Sequence, residues 1–180
     1  MPDFLLRTDR LDLIAATLAH TEAELQSPHA LGSLLRVSVP EGWPPGEYDR
    51  DALEYFHTQL RSNDPSHVGW YSGYALTRNS EGRRHALIGA AGYLGPPSGG
   101  IVAVGYSVVP SARGQGYATE IVTALVVHAF ESPLVNAVLA TTSDSNVPST
   151  RVLLRCGFQR VGPGAEPACV LYPVERAPRA

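Results

Sequence analysis

Arg113, Gly114 and Gly116 stand between an apolar run that ends at Pro110 and an amphipathic stretch that begins at Tyr117. A glycine turn joining a strand to a helix presents backbone N–H groups at the positive end of the helix dipole. Those N–H groups lack helical acceptors, so the place suits phosphate. Two common phosphate chemistries are excluded. A dinucleotide fingerprint needs a third glycine, and Thr119 stands where it would fall. A P-loop needs a lysine, and all 14 basic side chains here are arginine.

The elements that must position this turn follow from periodicity and punctuation. Ile101 to Val109 reads as the most strand-like run of the chain, closed by Pro110. Ala118, Ile121, Val122, Leu125, Val126, Ala129 and Phe130 repeat at helical spacing, so Tyr117 to Glu131 reads as a helix. Upstream, Leu11 to Ala15 predicts a strand, His20 to Gln26 a weak helix and Asp49 to Ser62 an amphipathic helix. The segment 40–46, with its prolines and glycines, predicts a loop. Val68 to Thr77 and His85 to Leu94 read as a hairpin pair. Downstream come a strand at Val135 to Thr142, a helix at Val147 to Cys156 capped by Gly157, and a strand pair at Phe158 to Val161 and Ala168 to Val174. The order is strand, two helices, three strands, helix, strand, helix, two strands. That is mixed α+β, since a doubly wound parallel fold would alternate throughout.

The 180 residues are expected to form one domain, with a core over about 8–174 and a frayed tail at 175–180. The net charge of −3 argues against an electrostatic grip on nucleic acid or an anionic membrane. Cys156 and Cys169 make neither a metal spacing nor a disulfide framework, which fits a reduced, cytoplasmic protein. Neither a signal peptide nor a membrane span is expected, and the six histidines make no metal site.

The order of elements together with these motifs resembles the GNAT superfamily of N-acetyltransferases. That family's pyrophosphate turn reads R/Q-x-x-G-x-G/A, and Arg113, Gly116 and Ala118 fill it. A second block, Asn146-Val147-Pro148-Ser149 followed by Cys156-Gly157-Phe158, matches an N-x-x-S helix and a G-F pair. Gly105 to Pro110, Tyr117 to Glu120 and Thr8 to Leu11 resemble the Rim-type branch, which includes acetyltransferases of ribosomal-protein N-termini. The resemblance implies a mostly antiparallel central sheet of about seven strands, helices on both faces, and a strand pair that bulges and splays at the cofactor site. It implies acetyl-CoA as cofactor. Gly114, Gln115, Gly116, Tyr117, Ala118 and Thr119 would hold the pyrophosphate, with Arg113 adding a charged donor. The backbone of Ser107, Val108 and Val109 would pair with the pantetheine arm, and the N–H near Val109 would polarise the thioester carbonyl. Asn146 would hydrogen-bond the pantetheine, and Ser149 would lie near sulfur as the proton donor.

Two positions depart from the family pattern. The usual tyrosine acid is Leu153, and the glutamate of Rim-type relatives is Ala103. Without a dedicated base, amine basicity decides. An α-amine of pKa ~7.7–8.0 gives up its proton at pH 7 for about 1 kcal/mol, whereas a lysine-like amine at ~10.4 costs about 4.6 kcal/mol. The expected acceptor is therefore an α-amine of a peptide or protein, or a weakly basic small amine. Glu41 and Trp43, in the Pro/Gly loop, are candidate acceptor-binding residues, an aromatic and a carboxylate suited to a cationic amine. Glu120 reads as a helix-dipole anchor and His128 as a packing residue. Two rivals stay open: a silent acyl-CoA-binding sensor, and an acetyltransferase of antibiotics or other small amines. Whether the chain is a monomer or a homodimer also stays open.

Overall fold

The computed structural model describes residues 4–62, 64, 67–165 and 168–177. Among them one eight-stranded sheet is flanked by five helices. The strands are β1 (Phe4–Arg7), β2 (Leu11–Ala15), β3 (Gly73–Arg78), β4 (Arg84–Tyr93), β5 (Ile101–Val108), β6 (Ala137–Ser143), β7 (Gly162–Pro163) and β8 (Cys169–Glu175). The helices are α1 (Leu18–Gln26), α2 (Pro28–Leu35), α3 (Arg50–Ser62), α4 (Tyr117–Glu131) and α5 (Val147–Arg155). The spatial order is β1-β2-β3-β4-β5-β6-β8-β7, antiparallel throughout except for the β5–β6 pair.

Strand alternation shows that both faces carry helices. Tyr74 on β3 pairs with Ala90 on β4, and its hydroxyl reaches Glu24 of α1 at 2.7 Å. Tyr93 lies three residues beyond Ala90, hence on the opposite face, and its hydroxyl donates to the Leu125 carbonyl of α4 at 2.7 Å. Both tyrosines are fully buried, so each face has its own half of the core. Every residue of β2 is buried, Asp12 included. Burial alone would raise the Asp12 pKa; hydrogen bonds from Arg7, Arg78 and Arg84 outweigh it and hold the carboxyl below its ordinary range.

The structure adds two elements to the sequence reading. β1 is a short edge strand against β2. α2 forms because the Ser27 hydroxyl accepts from the Ala30 N–H at 3.0 Å and Pro28 occupies its first turn. Several boundaries also move. β3 starts at Gly73 rather than Val68, because 68–71 is turn and bend. Phe158–Val161 is not a strand, although the Gln159 and Val161 N–H groups donate to carbonyls of β8; the short partner strand is Gly162–Pro163. The chain end is tied beyond 174: β8 runs to Glu175, and the Arg176 N–H donates to the Asn136 carbonyl at 2.8 Å. Residues 178–180 lie outside the described residues. Gly157, at φ +86°, closes α5 as expected. Its N–H reaches the Leu154 carbonyl and the Phe158 N–H reaches that of Leu153, a Schellman pair.

Candidate active site

β5 and β6 pair only from Ile101↔Ala137 to Ala103↔Leu139 and then separate. The gap continues to the first turn of α4 as a cavity of about 640 Å³. Its walls come from β5 (Tyr106, Ser107, Val108), the turn before α4, the first turn of α4 and one face of α5. The expected bulge in β5 is absent, since its register with β4 is unbroken from Val104 to Val108.

Register decides which backbone groups face the gap. The Val109 N–H donates to the Ile88 carbonyl of β4 at 2.9 Å, and the Ala103 carbonyl accepts from the Leu94 N–H at 2.9 Å. Antiparallel pairing alternates, so residues 103, 105, 107 and 109 turn their polar backbone toward β4. Residues 104, 106 and 108 turn theirs toward the gap. The Arg113 Nε–H, donating to the Val108 carbonyl at 2.9 Å, fits that orientation. Two expectations are corrected. Val109 is fully buried with its N–H already taken, so it cannot polarise a ligand carbonyl. Ser107 also turns its backbone to Ala90, while its hydroxyl ties the Pro45 carbonyl at 2.8 Å. Tyr106 and Val108 are the residues whose backbone faces the gap.

The turn forms through glycine. Gly114 has φ +73° and Gly116 φ +81°, a region costly for other residues. A Cβ at Gly114 would meet nothing within 4 Å, so a ligand can come against the backbone there. Gly116 is the N-cap of α4 and brings no side-chain acceptor. The other helices are capped by Thr17, Ser27, Asp49 and Asn146. The α4 amides at Tyr117, Ala118 and Thr119 are therefore left for an anion. Arg10 braces this end. Its guanidinium lies 4.3 Å from the centre of the Tyr117 ring, pairs with Glu120 at 2.7 Å and donates to the Gln115 carbonyl. Glu120 also accepts from Thr8 and the Arg10 N–H. Burial would raise its pKa, but these bonds hold it below the ordinary value, as suits an anchor and not a base.

Of the residues expected at the cofactor, Ser107, Val108, Arg113, Gly114, Gly116, Tyr117, Ala118, Thr119, Asn146 and Ser149 line the cavity. Val109 and Gln115 do not; the Gln115 side chain turns back to the Ser111 carbonyl. Asn146 caps α5, its Oδ1 accepting from the Ser149 N–H at 3.2 Å. Ser149 Oγ lies 2.8 Å from the Tyr106 hydroxyl. Burial pushes the Tyr106 phenol up to about 12, with the Ser149 contact opposing and Cys156 and Glu47 assisting, so it is fully protonated at neutral pH. Tyr106, Arg151 and Arg155 were not singled out from sequence, yet all three line the cavity. Strand parity carried the signal for Tyr106, and i,i+4 spacing along α5 carried it for the arginines.

The acceptor residues proposed from sequence are not brought together at this cavity. Trp43 is buried, and its Nε1–H donates to Glu24 Oε1 at 2.7 Å. Tyr48 and Tyr74 donate to Glu24 Oε2 at 3.0 and 2.7 Å, completing a core cluster. Glu41 is exposed and lines a second cavity of about 880 Å³ beside α2, with His29, Arg36 and His85. His128 packs as expected, its Nδ1 2.9 Å from the Tyr93 hydroxyl, and burial lowers its pKa. Leu153 is fully buried and apolar, and Ala103 sits at the last β5–β6 pair. Among the described residues no His/Cys/Asp/Glu cluster suits a metal, and no helix is long and apolar enough to cross a membrane.

The family model of the GNAT acetyltransferase domain matches residues 10–159. The chain belongs to the GNAT acetyltransferase family and is an acyltransferase whose acetyl donor is acetyl-CoA. It is 25% identical over 155 residues to the uncharacterized N-acetyltransferase YjdG of Bacillus subtilis, covering 86% of this chain and 89% of that one. The microcin C7 self-immunity acetyltransferase MccE, solved with acetyl-CoA and AMP, superposes with a TM-score of 0.67 at 15% identity over 98% of each chain. RimL, a ribosomal L7/L12 α-N-protein acetyltransferase solved with coenzyme A, does so with a TM-score of 0.64 at 18% identity, over 96% of this chain and 97% of that one. At these identities the two structures speak to fold alone.

Proposed function

We propose that the gap between β5 and β6 is the acetyl-CoA cleft of an N-acetyltransferase that acts on α-amines or other weakly basic amines by direct attack in a ternary complex. One observation carries the reading: backbone groups of Tyr106 and Val108, unpaired by β6, lead to the side-chain-free N-terminus of α4. The residues fit the cofactor, because Gly114 leaves open space where a Cβ would stand.

Acetyl-CoA, when bound, supplies an activated acyl carbon and a thiolate leaving group. The chain's residues then divide the work. The amides of Tyr117, Ala118 and Thr119 receive the pyrophosphate. Arg113 bonds the Val108 carbonyl through Nε and keeps its remaining donors for phosphate. The N–H of Val108, not Val109, takes the carbonyl-polarising role. Asn146 spends Oδ1 on its own helix, which leaves its amide N–H groups for the pantetheine. Ser149 lines the same cleft and would lie near the sulfur.

The acceptor follows from what is missing. Ala103 and Leu153 supply neither base nor acid, so a weakly basic amine is favoured by the ~3.6 kcal/mol difference in deprotonation cost at pH 7. Gly105 to Pro110, Tyr117 to Glu120 and Thr8 to Leu11 resemble the Rim-type branch, and a peptide or protein N-terminus is the acceptor that this branch implies. The test is thiol release from acetyl-CoA with a panel of peptides bearing either a free α-amine or only a lysine ε-amine. Preferential turnover of α-amines is expected. Preference for ε-amines overturns the acceptor assignment, and tight CoA binding without turnover of any amine makes the protein a sensor instead.

A further inference from the structure

The GNAT cleft usually meets its sulfur with a tyrosine from the helix that here carries Leu153, and Leu153 is buried in the core. A phenol nevertheless reaches the same helix from the neighbouring strand. Tyr106 on β5 lines the cavity with its hydroxyl 2.8 Å from Ser149 Oγ, where either oxygen can donate, and 3.3 Å from the Ser149 carbonyl, to which only Tyr106 can donate. A hydroxyl has one proton to donate and can accept two. If Ser149 spends its proton on Tyr106, nothing remains for a ligand. The Ser149 carbonyl competes for the Tyr106 proton, but Oγ is 0.5 Å nearer; with Tyr106 donating to Oγ, the serine proton is free to point into the cleft.

Resting on the cleft assignment above, we propose that Tyr106 is the positioning residue for Ser149: its O–H donates to Ser149 Oγ and directs the serine proton at the sulfur of bound coenzyme A. The pair acts by hydrogen bonding, not by giving its proton away. When the C–S bond breaks, its electron pair goes to sulfur. A thiolate of pKa ~8.5 is far too weak a base to deprotonate a phenol held near 12, let alone a serine. The Ser149 O–H···S bond therefore stabilises the developing charge. The proton lost by the acceptor amine leaves to solvent, and the thiolate is protonated from solvent after departure. Tyr106 never loses its proton, so the cycle balances without a reprotonation step. The charged groups around the pair are Glu47 from the loop before α3, Arg113 from the turn, and Arg151 and Arg155 from α5.

The experiment reads the bound thiol directly. CoA is titrated with the wild-type protein and the Tyr106→Phe, Ser149→Ala and double variants, and thiolate absorbance in the ultraviolet gives the thiol pKa of the bound cofactor. Calorimetry at neutral pH gives its affinity. Wild type should hold the thiol pKa below that of free CoA. Tyr106→Phe should raise it by about 0.5–1 unit, the shift one hydrogen bond of about 0.5–1.5 kcal/mol produces. On the Ser149→Ala background Tyr106→Phe should add nothing. Equal shifts on both backgrounds, or no shift from Tyr106→Phe alone, would overturn the proposal. A wild-type protein that does not bind CoA at all removes the cleft assignment itself, a distinct outcome.

Discussion

The loop 40–48 contributes to two polar clusters, Trp43 and Tyr48 to one and Gly46 and Glu47 to the other, and they contrast in what they leave unspent. In the Glu24 cluster every strong donor is matched. One carboxylate accepts from Trp43, Tyr48 and Tyr74, and the three rings pack within about 6 Å of one another's centres in the Trp43–Tyr48 and Trp43–Tyr74 pairs. In the β5–α4–α5 cleft, donors outnumber acceptors. Three arginines, Arg113, Arg151 and Arg155, line it with Glu47 as the carboxylate among the lining residues, and the α4 amides have no cap. The same residue types serve stability where they close on one another and ligand binding where they do not. Buried polar groups that are fully satisfied specify a core; donors left open at a cavity wall select an anion.

The contrast makes opposite demands on two substitutions, and the larger effect belongs to the core. Glu24→Ala strands one indole N–H and two phenols in a buried site. At about 1–3 kcal/mol for each unsatisfied group, the loss should come to roughly 3–5 kcal/mol after partial relaxation. For a chain of this size that lowers the melting temperature by roughly 10 °C. CoA affinity of the folded variant should remain within about twofold. A variant of unchanged melting temperature but weakened CoA binding would mean that the Glu24 cluster belongs to the site.

Gly116→Val should do the reverse. A β-branched side chain at φ +81° is strained, and its added atoms stand over the amides that receive the phosphate, next to the Arg10 guanidinium 3.5 Å from the Cβ position. CoA affinity should fall at least about 100-fold, or 2.7 kcal/mol. Gly82→Val is the control, since Gly82 has φ +74° in the β3–β4 hairpin and nothing within 4 Å of its Cβ position. It should bear a similar backbone cost and leave CoA binding alone. Equal CoA affinities for the two valine variants, by calorimetry, would remove the turn from the binding site.

The cleft was far more legible in the sequence than the cluster. α4 begins and ends where its apolar spacing places it, because a long amphipathic helix repeats its own signal. Gly114 and Gly116 announce their left-handed backbone by residue type alone. Trp43 was misassigned because its partner is 19 residues away in the chain, and no local pattern joins a loop tryptophan to a helical glutamate. α2 has no counterpart in the sequence reading, although proline is favoured in a first turn behind Ser27. Gly32 is required there, since a Cβ would meet a Val39 methyl at 2.7 Å. The Val109 error was one of parity. Composition marks a strand, but only its partner's register says which alternate residues turn their amides outward.

Acid titration offers the finest comparison, because two buried carboxylates have opposite slopes. Asp12, held low by three arginines, contributes stability above the ordinary carboxylate range and loses it as pH falls through its depressed value. For Glu24 burial prevails over its three hydrogen bonds and raises the pKa above the ordinary 4.5. Between the unfolded and folded values the native protein keeps a proton that the unfolded chain has released. Stability therefore falls as pH rises through that window and levels off above it. Glu24→Gln has no such proton, so it removes this slope while leaving the Asp12 slope in place. Chemical denaturation from about pH 4 to about pH 8 should show the wild-type protein losing stability relative to Glu24→Gln across the window just above 4.5. A difference that stays constant, or that grows in favour of wild type with rising pH, would mean that the aromatic donors, and not burial, set the charge of Glu24, and the cluster would then share the electrostatic character of the cleft.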